Sequence, residues 1–255
     1  MKKIQIISGK VKMAFIGLSA LFIFFSCHKS NPAPPVTTTS GTSFVSVTNV
    51  SPTNSTYGVY SDNTNIYPAG TIAYGSSTGI VNGSPYESIS DSMHSIYISN
   101  NGTRTNIDSN FAFQDSGYYS LFIYDTANLK TLALRDNFST TPPEGDAEVR
   151  FLNFSSNSPV LTVQLIGTGS VNTDTTSYSN IGYVGTTSMT TDSLSAFKPV
   201  VAGTYKVLLN SGATNLFTND SVTLSSGRFY TIYAKGFVNG VNGTDSLGIG
   251  VIQNH

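Results

Sequence analysis

The stretch Gly117-Tyr118-Tyr119-Ser120-Leu121 decides the predicted fold, because a version of it returns as Gly227-Arg228-Phe229-Tyr230-Thr231. In both copies a glycine precedes a run of aromatic, aliphatic and hydroxyl-bearing residues that favours β-strand. Gly227 suits the turn before such a strand, where a positive φ costs glycine little. Each stretch therefore predicts a strand that follows a turn, and the two stretches lie 110 positions apart.

Two further pairs of segments show the same repetition. Val47-Thr48-Asn49-Val50-Ser51 aligns with Phe151-Leu152-Asn153-Phe154-Ser155, and Ile72-Ala73-Tyr74 aligns with Ile181-Gly182-Tyr183. The offsets are 104 and 109 residues, so one loop insertion explains the drift. A period of this length corresponds to a whole domain rather than to the short unit of a solenoid. The sequence therefore predicts two copies of one domain.

Short segments rich in Val, Thr, Tyr and Phe alternate with Gly, Asn, Ser and Asp turn clusters throughout the chain, which favours an all-β sandwich or barrel. No run of ten or more residues after residue 27 has helical periodicity. The predicted strands are Phe44–Val50, Tyr57–Tyr60, Thr71–Tyr74, Tyr86–Ile89, Ser95–Ser99, Ser109–Phe113, Tyr118–Asp125, Thr131–Asp136, Glu148–Phe154, Leu161–Ile166, Ser179–Val184, Phe197–Val201, Thr204–Leu209, Asp220–Leu224, Phe229–Lys235 and Leu247–Ile252.

The segment Thr140–Gly145 contains Pro142-Pro143 and breaks this pattern. Because adjacent prolines do not fit inside a sheet, a domain boundary is expected there. The first β-sandwich domain is then residues 43–139 and the second is residues 146–255. Few contacts are expected to cross such a linker, so proteolysis within it should leave two stable halves.

The N-terminal segment reads as a secretory signal that ends on the only cysteine of the chain, Cys27. Lysines precede a short apolar run, Met13–Ser26, which is too short to span a bilayer. Ser26-Cys27 resembles a bacterial lipobox, so residues 1–26 are predicted to be a lipoprotein signal peptide. Acylated Cys27 would then hold the protein in the outer membrane of the cell envelope, on its periplasmic or surface face. The alternative is an ordinary signal peptide with an incidental cysteine.

Residues 27–42 are rich in Pro, Ser and Thr and are predicted to be an extended tether. Downstream of the signal, nine basic residues face fourteen acidic ones. The resulting charge of about −5 argues against a nucleic-acid partner, which requires clustered basic residues. The membrane, through the lipid anchor, and a glycan or protein ligand are the expected partners.

The second copy resembles a bacterial family of secreted domains known as domain of unknown function 4397. The residues that carry the resemblance are Val149–Asn153, Ala202–Tyr205 and Leu224–Ala234, within residues 146–240. The first copy is more divergent, with Ser92-Met93-His94-Ser95 where the second has Ala-Gly-Thr-Tyr. The resemblance implies two tandem immunoglobulin-like antiparallel β-sandwich domains on an envelope protein. It carries no catalytic residue to transfer.

Catalytic and metal-binding patterns are weak. Asp91, Ser92 and His94 have the residue types of a catalytic triad, but their closeness in sequence favours a turn and a strand start. The acidic residues Glu144, Asp146 and Glu148 suggest either weak calcium binding or a solvated strand entry. The sequence therefore predicts no enzyme, no metal site and no cofactor.

The leading functional hypothesis is a non-enzymatic envelope lipoprotein that acts in adhesion, scaffolding or binding. The alternative is a glycan-binding lipoprotein of a nutrient-uptake system, because tyrosine faces flanked by Asn and Asp can stack on sugars. The tyrosines proposed to contact the ligand are Tyr57, Tyr60, Tyr67, Tyr74 and Tyr86. Most tyrosines of a chain without tryptophan are nevertheless expected in the core.

Aspartate is followed by Ser or Thr and then by Ala, Ile, Leu, Val, Met or Thr at six places. This triplet resembles an acceptor motif for periplasmic O-glycosylation, in which the middle hydroxyl carries the glycan. The alternative is that Asp-Ser and Asp-Thr pairs simply begin turns. The candidate acceptors are Ser92, Thr126, Thr175, Ser193, Ser221 and Ser246.

Overall fold

The computed structural model describes residues 41–53, 55–68, 70–79, 84–126, 128–169, 173–240 and 245–255, and it is nearly all β. The predicted signal peptide, Cys27 and most of the tether lie outside the described residues. The strands are β1 Thr42–Asn49, β2 Gly58–Ser61, β3 Thr64–Asn65, β4 Glu87–Ser90, β5 Met93–Asn100, β6 Thr103–Ala112, β7 Tyr118–Tyr124, β8 Lys130–Asp136, β9 Asp146–Asn153, β10 Leu161–Gly167, β11 Thr175–Ile181, β12 Lys198–Val201, β13 Gly203–Ser211, β14 Thr214–Leu224, β15 Phe229–Lys235 and β16 Gly248–Gln253. Within the described residues there is also one helix, α1 Thr191–Ser195.

Each half of the chain forms two four-stranded sheets, and the strand order is the same in both halves. The first half has the orders β4-β1-β7-β8 and β3-β2-β5-β6. The second has β12-β9-β15-β16 and β11-β10-β13-β14, so each strand has its counterpart eight places later. All pairs are antiparallel except β1 with β7 and β9 with β15, which are parallel in both halves. The predicted duplication is therefore present in the topology.

Within each half the two sheets pack face to face as a sandwich. Val45 and Val47 of β1 pack with Val59 of β2 and with Ile96 and Ile98 of β5 in the first core. The second core contains Ala147, Val149 and Phe151 of β9 together with buried apolar residues of β10 and β13. The side chains alternate between the two faces of each strand, as the twofold period of a strand requires. The all-β sandwich prediction is confirmed.

The central strands are buried on both faces, because the two halves pack against each other. In β7, Leu121 points into its own sandwich whereas Phe122 joins a third core. That third core combines Phe122 with Phe154 and Tyr233 of the second half, and the rings of Phe122 and Phe154 lie 4.9 Å apart. All of the described residues belong to one compact unit. The expectation that few contacts cross the Pro142-Pro143 linker is therefore wrong.

The repeated asparagine shows why the two halves keep the same local structure. Asn49 and Asn153 are fully buried, and each Oδ1 accepts the backbone N–H of a serine two residues later. The Nδ2 of Asn49 donates to the carbonyl of Ile72, and that of Asn153 donates to the carbonyl of Ile181. The aligned segments of the sequence are thus equivalent in space, and each asparagine ties its first long strand to a later loop.

Several local predictions differ from the structure. Thr71–Tyr74 is not a strand, since only Ile72 makes an isolated bridge there, to Tyr57. The short strand β3 and the five-residue helix α1 were not predicted, because elements this short leave no periodic pattern.

The offset between the two aligned stretches that follow Gly117 and Gly227 is 111 residues rather than 110. Tyr119 and Tyr230 are equivalent, and each hydroxyl accepts the backbone N–H five residues earlier.

Candidate functional site

A cleft of about 880 Å³ in the described part of the chain is lined by residues of both halves. One wall comes from the start of β7 and the segment after β8, and the other comes from α1 and the segment that follows it. The aromatic residues that line the cleft are Tyr118, Phe138, Phe197, Phe229 and His255. We call this space the inter-sandwich cleft.

Phe138 lies at the centre of these rings, because it follows β8 and turns toward the second half. Its ring centroid is 5.0 Å from that of Phe229, 5.0 Å from that of His255 and 5.4 Å from that of Tyr118. The ring of Phe197 lies 6.2 Å away. The contacts with Phe229 and Tyr118 are edge-to-face, a geometry that stabilises aromatic pairs beyond their buried area.

Helix α1 places Phe197 in the cleft. The side chain of Thr190 caps the helix by accepting the backbone N–H of Ser193. Leu194 is buried in the core between the halves and anchors the short helix. Phe197 follows directly, with its ring 4.6 Å beneath the guanidinium carbon of Arg150.

Polar groups complete the lining of the inter-sandwich cleft. Glu148 and Asp192 contribute carboxylates, and Arg135 and Asn137 contribute donors. Burial raises the pKa of Glu148 above its ordinary value, and the neighbouring Asp146 adds to the effect. The cleft therefore combines aromatic faces with hydrogen-bonding groups and an acidic side.

Beneath the cleft lies a buried polar network that joins the halves. Arg150 donates from Nη1 to Asp136 over 2.5 Å, from Nη2 to Ser120 over 2.8 Å and from Nε to Thr231 over 2.8 Å. The side chains of Arg150 and Asp136 are 1% and 0% exposed. A buried ion pair requires such complete hydrogen bonding to offset the cost of removing its charges from water.

Tyr86 and Asn254 complete this network. The hydroxyl of Tyr86 donates to Asp136 over 2.6 Å and accepts from Asn254 over 3.1 Å. Burial raises the pKa of Tyr86 well above its ordinary value, and Asp136 raises it further. The network is thus a rigid floor for the cleft rather than a set of groups open to a ligand.

The structure does not gather the five proposed ligand-binding tyrosines into one site. Tyr57 and Tyr86 are buried, so the proposal that they contact a ligand is wrong for these two. Tyr60, Tyr67 and Tyr74 are half-buried, and none of them lines the inter-sandwich cleft. Tyr57 and Tyr86 instead pack in the interior of a protein without tryptophan, as the alternative interpretation predicts.

Most of the proposed glycosylation hydroxyls lie where a modification could reach them. Ser92, Thr126, Thr175, Ser193 and Ser221 are exposed, whereas Ser246 is half-buried and donates to the carbonyl of Gly240. Ser92 differs from the others because its Oγ lies 2.7 Å from Nε2 of His94.

The described residues contain no group of three or more His, Cys, Asp or Glu side chains arranged to hold a metal ion, and Glu144, Asp146 and Glu148 form no such group. No helix within the described ranges is long and apolar enough to cross a bilayer.

His94 is held by an aspartate that sequence analysis did not connect with it. Its Nδ1 lies 2.7 Å from Asp62, thirty-two residues earlier. Phe138 was also missed, although one signal was visible: it is a single aromatic residue inside the polar segment Asn137–Thr140. A lone aromatic residue in a polar linker is unusual unless it packs against another part of the protein.

Residues 43–164 match the family model described as "Domain of unknown function (DUF4397)". This part of the chain therefore resembles a DUF4397 domain. The match begins in β1 and ends inside β10, so it covers the first sandwich, β9 and the first part of β10. The family resemblance is confirmed, but the match includes only residues 146–164 of the predicted residues 146–240. Of the quoted motifs only Val149–Asn153 lies inside the match, and a second DUF4397 copy is not confirmed. No curated protein matches the chain.

Proposed function

We propose that this protein is a non-enzymatic, ligand-binding lipoprotein of the cell envelope and that the inter-sandwich cleft is its ligand site. The observation that carries the proposal is the cleft of about 880 Å³, whose aromatic walls come from both sandwiches. Ligand sites are typically concave, of this size and located between packed units. The rigid floor of Arg150 and Asp136 keeps the two walls in place without a ligand.

A glycan is the ligand class that fits the cleft best. Sugar rings present apolar C–H faces that stack on aromatic rings, and hydroxyl groups that require donors and acceptors at the edges. Phe138 and Tyr118 supply the first chemistry, and Asn137, Glu148 and Asp192 supply the second. The glycan-binding alternative thus gains support, with the site moved away from the five tyrosines.

A glycan array with residues 39–255 tests the binding site. We expect one glycan class to bind, and we expect the affinity to fall at least about tenfold for Phe138→Ala and for Asp192→Asn, since each removes roughly 1.4 kcal/mol or more of contact. Tyr67→Ala is the matched control, because Tyr67 is half-buried and lies outside the cleft. Array binding that survives both cleft substitutions, or that Tyr67→Ala removes, would place the site elsewhere.

The membrane anchor is a separate part of the proposal and rests on Met13–Cys27. In Cys27→Ser, no thiol remains for acylation, so we expect the protein to leave the membrane fraction or to remain as an uncleaved precursor. Cell fractionation with metabolic labelling by a fatty-acid analogue measures this. Wild-type fractionation and labelling of the variant would contradict lipidation at Cys27. Cys27→Ser tests the anchor and not the cleft.

A further inference from the structure

We propose that a polar pocket in the first sandwich binds a small uncharged polyol, that is, a compound with several hydroxyl groups and no charge. The pocket has a volume of about 570 Å³, and its lining includes Thr42, Ser61, Asp62, Ser90 and His94. We call it the Ser61 pocket. It shares no lining residue with the inter-sandwich cleft, so it adds a second ligand site to the proposed function and does not depend on the first.

The second sandwich shows which residues correspond to the lining of the Ser61 pocket. The pairing of β5 with β6 shifts its register between His94 and Ile96. The pairing of β13 with β14 shifts in the same way between Tyr205 and Val207. A bulge of this kind marks one position along a strand pair. His94, and not Ser95, is therefore the counterpart of Tyr205.

The contacts of the two rings support this correspondence. Nε2 of His94 lies 3.1 Å from the backbone carbonyl of Ser90, and the hydroxyl of Tyr205 donates to the backbone carbonyl of Val201. The other nitrogen of His94, Nδ1, lies 2.7 Å from Asp62. Both nitrogens of His94 therefore face acceptors of the protein itself, so this smaller ring fixes the wall of the pocket and leaves ligand contacts to its neighbours.

Ser61 is the second small residue in the lining. It pairs with Ile96 as Leu165 pairs with Val207, so Ser61 and Leu165 are counterparts. Leu165 and Tyr205 are both 0% exposed and fill the interior of the second sandwich. A serine and a histidine take these places in the first sandwich. The lost side-chain volume leaves the space of the pocket, at the expense of core packing that stabilises the second sandwich.

The hydroxyl of Ser61 is the group that points most directly to a ligand. Ser61 is 3% exposed, and its Oγ has no hydrogen-bond partner among the described residues. Buried polar groups nearly always form a hydrogen bond, and an unpaired one destabilises the protein. Leu165 avoids this cost at the equivalent place. The serine is therefore explained by a ligand that enters the pocket and bonds to its hydroxyl.

The chemistry of the lining indicates the class of ligand. Among the described residues that line the pocket there is no phenylalanine, tyrosine or tryptophan, so no aromatic face is present on which a sugar ring could stack. A hydroxyl group both donates and accepts hydrogen bonds, which suits a ligand whose own groups do the same. The residues that supply hydroxyl groups are Thr42, Ser61, Thr64, Ser88 and Ser90.

The charges around the pocket favour an uncharged ligand. The side chain of Asp62 is 51% exposed, so its carboxylate accepts further hydrogen bonds but repels an anion. The guanidinium of Arg104 donates to the backbone carbonyl of Asp62, and its positive charge repels a cation. A polyol meets neither penalty, and two neighbouring hydroxyl groups of a polyol can donate to one carboxylate.

The test is a titration of residues 39–255 with sorbitol, followed by two-dimensional ¹H–¹⁵N NMR. Sorbitol is an open-chain polyol, so it has no ring face for the aromatic side chains of the inter-sandwich cleft. We expect saturable shifts centred on the amides of Ser61, Asp62, Ser90 and His94. The dissociation constant should lie in the millimolar range, because hydrogen bonds exchanged with water give a small net free energy.

Two substitutions of Ser61 separate the space of the pocket from its hydroxyl. Ser61→Leu introduces the residue found in the second sandwich, so it should fill the pocket, remove the sorbitol shifts and raise the melting temperature. Ser61→Ala keeps the space and removes the hydroxyl, so the affinity should fall about three- to tenfold. Ser99→Ala is the matched control, because Ser99 lies on the neighbouring strand β5 outside the lining and should bind sorbitol like the wild type.

Phe138→Ala distinguishes the Ser61 pocket from the inter-sandwich cleft. It should keep the sorbitol shifts, and Ser61→Leu should keep glycan binding on the array. The proposal is overturned if the wild type shows no saturable shifts, if they persist in Ser61→Leu, or if Phe138→Ala removes them. Where Ser61→Leu does not fold, wild-type affinity in Ser61→Ala overturns it equally. Loss of array binding with intact sorbitol shifts would count against the cleft alone.

Discussion

Arg150 carries a charge that its counterpart in the first half does not have. The repeat places Ser46 at the equivalent position of β1, and Asn254 of the second half stands where the first half has Asp136. The halves have therefore diverged so that one supplies a buried cation and the other a buried anion. This division makes the contact between them specific, since two copies of either half would bring like groups together.

We predict that Arg150→Met lowers the free energy of unfolding by about 3–5 kcal/mol, because it leaves the carboxylate of Asp136 buried without its partner. Urea denaturation followed by circular dichroism measures the change. Lys206→Met is the control, since Lys206 pairs with Asp220 at 3.3 Å on the surface and should cost less than about 1 kcal/mol. Equal small losses in both variants would show that the buried pair does not hold the halves together.

Tyr74 provides a second prediction at this scale, concerning pH. Its hydroxyl is buried without a hydrogen-bond partner among the described residues, and burial raises its pKa to about 12, with a further contribution from Asp245. A folded-state pKa above the ordinary value of 10 means that the folded protein resists deprotonation. The contribution of the neutral Tyr74 hydroxyl to the free energy of unfolding is then complete below pH 10, and it is lost as the pH rises from 10 through 12.

In Tyr74→Phe we expect this alkaline loss to become smaller. At pH 8 the variant should be as stable as the wild type or slightly more stable, because the lost hydroxyl had no partner. Urea midpoints at pH 8, 9, 10 and 11 give both results. The same alkaline slope in wild type and variant would show that Tyr74 does not contribute to it.

At the scale of strands and helices, strands are most predictable from the sequence where a long run of β-favouring residues follows a turn glycine. β7 and β15 were predicted within one residue at each end, since each is a long run of β-favouring residues after a turn glycine. β11 was predicted four residues too late at its start, because the polar run Thr175–Asn180 has no apolar alternation. β3 and α1, with two and five residues, were not found.

The candidate sites were less predictable than the strands, because they depend on pairings between distant segments. Asp62 reaches His94 only because β2 pairs with β5, and no local pattern connects the two residues. Phe138 reaches Phe229 only because the two sandwiches pack together. The sequence indicated which residue types were available, but the packing of sheets decided which of them meet.

At the scale of the whole molecule, four sheets lie in layers, and the two inner sheets share a core. Tyr124, Leu152, Phe154, Tyr233 and Ile252 belong to this shared core. It resembles the interior of one domain rather than the polar contact between two tethered domains. The linker around Pro142 therefore connects two layers of one unit.

We predict that cutting the linker does not separate the halves. A protease site inserted after Thr140, which is exposed, should be cleaved, and the two fragments should elute together in gel filtration because the shared core stays buried. Leu152→Asp in the same protein is the control, since a charge in this core should release the fragments. Separate elution of the fragments without that substitution would contradict the layered contact.

The parallel pairing of the first and seventh strands also has a consequence for how the chain folds. Phe44 pairs with Tyr118, 74 positions later, and Glu148 pairs with Phe229, 81 positions later. Neither sandwich can therefore close before the later strand of its parallel pair is available. Chains dominated by such distant pairings fold in milliseconds to seconds. During synthesis the edge of β1 that pairs with β7 stays open until Tyr118–Tyr124 has been made, and until then it can pair with the strand of another chain.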